Sequence, residues 1–125
     1  MDVANYANGV KLEYMVKDFY RAHKYWVTRS AGSHGCIDLI AWRVEQGCAY
    51  VDLVQCKKGS SPVKKDVEEM RKLPIDETLW RRLLWIKKGD EIIVQQIFID
   101  KVCDVERLKV KDVKKAIEVW KDGNA

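Results

Sequence analysis

The sequence predicts an α/β fold, a mixed central sheet of about five strands flanked by helices. Three observations predict it. Helix-like and strand-like patterns follow one another in the order α-β-β-β-α-β-β-α, which requires a sheet with helices packed on its faces. The 125 residues contain no repeat, linker or low-complexity tract, so residues 1–125 read as one domain. Apolar residues make up 47% and aromatics 10%, with five Trp, enough for a core and too many for a disordered chain.

Each element has its own signal. Residues 1–8 (MDVANYAN) are polar and Asn-rich and read as a loosely ordered N-terminal segment. Val10, Leu12, Met15, Val16, Phe19 and Tyr20 then recur at close to helical spacing, which predicts an amphipathic helix over 10–23. Residues 25–30 (YWVTRS) are mostly aromatic or β-branched and predict a strand. The small, Gly-punctuated stretch 31–35 (AGSHG) predicts a loop. Residues 36–43 and 49–57 predict two strands, joined as a hairpin by a turn over 45–47. The stretch 58–62 breaks the second of them. Helix formers over 63–73, stopped by Pro74, predict the next helix. Residues 80–87 and 91–99 predict a further hairpin around Gly89-Asp90. The last helix is expected over 112–121, with Asp112 as its N-cap and Gly123 past its end. Trp80, Leu83, Leu84 and Trp85 are read first as core, with a dimer face as the alternative.

Charge and cysteine usage narrow the function classes. Lys and Arg number 23 against 19 Asp and Glu, a net charge of +4 that permits a polyanionic partner without demanding one. No apolar run approaches the ~20 residues needed to cross a bilayer. The first residues lack a basic stretch followed by an apolar one, so a cytoplasmic protein is expected. The four cysteines form no CxxC pair and only two His are present, which argues against a structural zinc site. They read as small buried apolar residues rather than as a disulfide framework.

The residues with chemical potential lie in the first half of the chain. Glu13 sits on the first helix, where alone it would pair with Lys17 one turn on. Asp38 follows the Gly-containing loop at the start of a strand. Gln55 and Lys57 stand two apart on the next strand and therefore share one face, with Cys56 opposite. Basic residues flank this group in two runs: Lys57, Lys58, Lys64 and Lys65, then Arg81, Arg82, Lys87 and Lys88. If they share a face, they would bind phosphates. Lys109, Lys111, Lys114 and Lys115 read as scattered solubilising charge.

Three segments carry a resemblance: Gly9–Glu13, the run Arg29-Ser-Ala-Gly-Ser-His-Gly-Cys-Ile-Asp38, and Asp52-Leu-Val-Gln-Cys-Lys57. Together they resemble the PD-(D/E)xK nuclease superfamily, and within it the archaeal-type Holliday junction resolvases. The resemblance implies a restriction-endonuclease-like fold and a homodimeric, metal-dependent endonuclease acting on branched DNA. It implies Mg²⁺, or Mn²⁺ in its place, held by Asp38, Glu13 and the residue at position 55. Lys57 corresponds to the motif lysine, which would hold the attacking water and offset negative charge. Arg29 and Ser33 match the basic and hydroxyl positions before the aspartate. Ser33, His34, Lys58, Lys64, Lys65, Arg81 and Arg82 complete the expected DNA contacts, with His34 read as a phosphate contact rather than a base.

One position departs from the pattern. Gln55 stands where the family carries a carboxylate, so the site lacks one negative charge. At an effective dielectric of ~20, a charge ~4 Å away is worth roughly 4 kcal/mol before solvation offsets it, so lower metal affinity is expected. Glu68 or Glu69 on the following helix is the expected substitute. The rival readings are a nuclease of other specificity, nicking or flap cutting, a non-catalytic nucleic-acid-binding module on a nuclease-like fold, and a small α/β protein with no nucleic-acid role whose motif is coincidence.

Overall fold

The computed structural model describes residues 3–30, 35–59 and 64–124. Its elements are α1 (Val3–Ala22), β1 (Trp26–Arg29), β2 (Leu39–Glu45), β3 (Cys48–Lys58), α2 (Lys64–Arg71), β4 (Trp80–Lys88), β5 (Glu91–Ile97), β6 (Val102–Lys109) and α3 (Val110–Gly123). The six strands form one sheet in chain order, β1 to β6. All neighbours are antiparallel except β3 and β4, which are parallel because α2 carries the chain back between them. A mixed sheet with flanking helices is therefore observed. Among the described residues, no helix is long and apolar enough to cross a membrane.

The β2–β3 hairpin closes through Gln46 and Gly47, both at positive φ (53° and 78°). That is the backbone a two-residue turn needs to match the twist of its strands. β2 is paired with β3 from Leu39↔Val54 to Glu45↔Cys48. This register puts Leu39, Ala41 and Val54 on one face and Ile40, Trp42, Leu53 and Gln55 on the other.

The first face carries the main core. Leu12, Val16 and Tyr20 of α1 and Val110, Val113 and Ile117 of α3 pack on Leu39, Ala41, Val54, Leu83, Trp85, Ile92 and Val94. Both helices present apolar residues at three- and four-residue spacing, so each buries one stripe. The second face is covered mainly by the short α2, whose Met70 and Val67 pack with Leu84, Ile86 and Ile97. Beyond α2, Trp26, Val44 and Trp80 on this face are exposed. Trp26, Trp42, Val51 and Trp80 lie opposite one another across β1, β2, β3 and β4 and form a continuous row.

The structure corrects several expectations. β6 is a sixth strand that the sequence does not announce. Its residues VCDVERLK are nearly all exposed at the sheet edge, so no apolar alternation was needed there. α1 begins at Val3, inside the segment expected to be loose, because a polar turn can continue a helix that packing anchors further on. Asp112 is not the N-cap of α3. β6 runs directly into the helix through Lys109, and the Val110 N–H is taken by the Asp90 carbonyl at 2.8 Å. Gly123 closes the helix instead of lying beyond it. Cys48 is exposed at the start of β3, whereas the other three cysteines are partly buried. Leu83, Leu84 and Trp85 are core, while Trp80 is exposed.

Two arginines expected at a DNA surface also make structural bonds; Arg82 is buried, while the Arg81 side chain stays 42% exposed. Arg82 is 3% exposed and bonds Glu77 Oε2 (2.7 Å) and the carbonyls of Leu73 (2.7 Å) and Ile97 (3.2 Å). It fastens the α2–β4 connection to the end of β5. Arg81 grips the buried Asp52 with both prongs, Nε to Oδ1 and Nη2 to Oδ2, each 2.8 Å. Tyr20 donates its hydroxyl to Asp52 Oδ2 at 2.9 Å. Burial, then the Asp52 charge, push the Tyr20 hydroxyl well above its usual range. Sequence adjacency to a basic run hid these roles, because a charge run says nothing about which side chain turns inward.

Removing one partner from this network should strand a buried charge. Arg81→Met is expected to lower stability by about 3 kcal/mol, the low end for a broken buried pair since Tyr20 still bonds Asp52. Urea denaturation measures it, and a destabilisation of under 1 kcal/mol would contradict the network's role.

Candidate active site

The site forms where β2 parts from β3. The Asp38 N–H still reaches the Val54 carbonyl at 2.8 Å, and the Asp38 carbonyl accepts from Ser30 N–H at 2.8 Å. One step further along β3, the Cys56 N–H has no strand neighbour to donate to. The Asp38 carboxylate takes it, Oδ2 to N at 2.8 Å. A backbone donor left unpaired at a half-buried seam would be destabilising, so this bond fixes Asp38 at the fork.

On the α1 side stand Glu13 and Arg29. Arg29 Nε and Nη2 both bond Glu13 Oε2 at 2.9 Å. The guanidinium lies 4.7 Å over the Tyr14 ring and bonds its hydroxyl at 3.3 Å. Glu13 thus pairs with Arg29 on β1 rather than with Lys17. Its carboxylate acts on Asp38. Burial first, and Glu13 next, raise Asp38 from 3.8 to about 6, against the lowering effect of the Cys56 N–H and of Arg29. Burial, with Asp38 and Glu13 near, also pushes the Cys56 thiol well up, so it is no nucleophile.

On the α2 side stand Gln55 and Lys57, sharing a face as their spacing predicts. Both meet Asp66. The Gln55 amide donates Nε2 to Asp66 Oδ1 at 3.1 Å, and Lys57 Nζ lies 3.5 Å from Asp66 Oδ2. The amide's other end is unpaired. Among the described residues, Gln55 Oε1 and, in the main core, Trp85 Nε1 are buried without a hydrogen-bond partner. Buried acceptors are nearly always satisfied, so this unpaired amide oxygen is a candidate ligand contact.

The predicted residues divide accordingly. Asp38, Gln55 and Lys57 are at one level of the β2–β3 fork. Glu13 and Arg29 approach from the α1 face, whereas Gln55 and Lys57 turn to the α2 face, with Asp38 in the seam between. Lys58, Lys64 and Lys65 are exposed next to it. Arg81 and Arg82 are engaged elsewhere. Ser33 and His34 lie outside the described residues. Glu68 is exposed and Glu69 pairs with Lys72 at 3.3 Å, so neither is the substitute carboxylate. Asp66 is the acid that reaches the motif. Its signal is present in the sequence: it precedes the buried Met70 by four residues and so shares that residue's sheet-facing side of α2.

Among the described residues, no three Asp, Glu, His or Cys side chains converge as a metal site would require. A hard cation bound here would need an amide oxygen among its donors, and in Gln55 the amide nitrogen is already held by Asp66. No protein-family model matches the chain, and no curated protein matches it.

The raised Asp38 pKa has a stability consequence. A proton held up to about pH 6 in the fold, but only to about 4 in the unfolded chain, contributes stability below pH 4 that is lost as pH rises through 6. Asp38→Asn imitates the protonated form and is expected to be more stable than wild type at pH 8 by of order 2 kcal/mol. The gap should close as pH falls from 6 to 4. Thermal melts across pH 4–8 in EDTA measure it, and a variant less stable than wild type at pH 8 would contradict it.

Proposed function

We propose that this chain is a Mg²⁺-dependent, structure-selective DNA endonuclease that acts as a homodimer on four-way junctions. The buried Gln55 Oε1, unpartnered among the described residues and one register step past the Leu39–Val54 pair where Asp38 enters β2, carries the reading. Asp38 and Gln55 would hold the cation, with Glu13 completing the set directly or through water. When bound, Mg²⁺ supplies Lewis acidity and a more acidic water. Mn²⁺ is an equivalent hard ion for such oxygen donors.

The chain's own groups have separable tasks. Arg29 fixes the Glu13 carboxylate. Asp66 holds the Gln55 amide so that its oxygen, not its nitrogen, points away from α2. It also holds Lys57 in reach, where the ammonium can offset charge building on a phosphate. The junction preference and the dimer come from the family resemblance. A bare apolar row supports the dimer. Trp26, Val44 and Trp80 are 69%, 68% and 39% exposed on the α2 face of the sheet. These three side chains alone offer roughly 350 Å² of the ~800 Å² per partner in a standard interface.

The replacement of a carboxylate by Gln55 favours one rival, a module that binds branched DNA without cutting it. Four-way junctions, linear duplexes and single strands incubated with Mg²⁺ or EDTA decide between them. Paired nicks near the crossover, dependent on Mg²⁺ and abolished by Asp38→Ala with binding retained, are the expected result. Junction binding without cutting supports the module, and cuts confined to one strand or to flaps support a different nuclease specificity.

Two substitutions then probe the amide. Gln55→Glu restores the missing charge and is expected to lower the half-saturating Mg²⁺ about tenfold. Asp66→Asn frees the amide and is expected to raise it 10- to 100-fold, roughly the effect of removing a group that orients a ligand. An unchanged Mg²⁺ dependence in both would contradict the role of Gln55.

A further inference from the structure

We propose that the groove between α1 and α3 binds the sugar–phosphate backbone of double-stranded DNA. The groove encloses about 420 Å³ and draws lysines from four elements: Lys11 of α1, Lys58 of β3, Lys87 of β4, and Lys114 and Lys121 of α3. Its floor is apolar, with Leu12 and Ile117 beneath the ammonium groups. Asp18 is the one acid in its lining, 3.7 Å from Lys121. The other four lysines have no ion pair among the described residues.

Charge balance makes this concentration informative. Five lysines against one aspartate leave four positive charges, as many as the whole chain's excess of 23 basic over 19 acidic residues. The rest of the chain is therefore balanced, and its net charge resides in one recess. Solubilising charge has no reason to gather, since like charges within a Debye length of ~10 Å repel. The spacing of Lys114 and Lys121 with Val110 and Ile117 turns that stripe of α3 toward α1. Lys58 and Lys87 are direct neighbours across the β3–β4 pairing.

The ligand must be a polyanion, and a recess lined by five lysines from two strands and two helices suits a chain of phosphates. Lys58 and Lys87 point to the α1 face of the sheet, whereas Lys57 turns to the α2 face, so the groove lies across the sheet from Gln55 and Lys57. This choice of polyanion rests on the endonuclease reading. A recess between two helices also suits a backbone strand better than a flat lipid surface. The sequence alone reads Lys114 as scattered charge, because helix-to-helix convergence is not visible along the chain.

The test is duplex and junction binding by fluorescence anisotropy in EDTA, over 50–300 mM salt. The double variant Lys11→Gln, Lys114→Gln is compared with Lys72→Gln, Lys101→Gln, which removes equal charge outside the groove. The groove variant is expected to bind about tenfold more weakly and to flatten the log–log salt slope by about 2, roughly one unit for each phosphate no longer neutralised. The control is expected to keep the wild-type slope. Lys58→Gln, Lys87→Gln provides a second, independent groove variant. Equal effects of groove and control variants would overturn the inference, as would stronger binding to phosphatidylserine vesicles than to DNA. Mg²⁺-dependent cleavage that ignores the groove variants overturns the inference and leaves the endonuclease reading. Groove-dependent binding with no cleavage supports the inference and overturns the endonuclease reading. Wild-type protein that binds no DNA overturns both.

Discussion

The bond from the Cys56 N–H to the Asp38 carboxylate, 2.8 Å long, holds the two halves of the site together. β2 leaves β3 at this point, and a backbone donor is left without its strand partner. A side-chain oxygen takes over that role, which draws a carboxylate into a partly buried seam and keeps Glu13 close to it. Burial and like charge then oppose ionisation, and only the Cys56 N–H and Arg29 offset them.

The same economy governs the other charged groups. The buried Asp52 has both oxygens used, by Arg81 and Tyr20, and the buried Arg82 bonds Glu77 and the carbonyls of two segments. These bonds hold the scaffold. The fork is the reverse case, with Gln55 Oε1 unpaired and Lys57 only 3.5 Å from a shared acid. The lysine groove is a second such case. Satisfaction of hydrogen bonds and charges, rather than residue type, separates scaffold from site in this molecule.

Much of this was legible in the sequence. The alternation in 36–57 and the Gln46-Gly47 turn specify the hairpin, and the hairpin fixes Gln55 and Lys57 on one face. The α1 stripe of Leu12, Val16 and Tyr20 is equally plain. What was not legible had physical causes. β6 is exposed at an edge and bears no burial pattern. Asp66 reaches the motif only because α2 crosses over the sheet. Arg81 and Arg82 look like part of a basic run, yet the strand pleat sends them to opposite faces and into separate networks. The groove lysines are far apart in sequence, from position 11 to position 121, and only the packing of α1 on α3 gathers them.

The central claim is that the fork seats a divalent cation through a carboxylate and an amide oxygen. The most direct measurement is an anomalous difference map from crystals soaked in Mn²⁺. The account predicts one ion within about 2.2 Å of both the Asp38 carboxylate and Gln55 Oε1. No peak at the fork, or an ion bound through Asp66 with Gln55 Oε1 turned away, would contradict it.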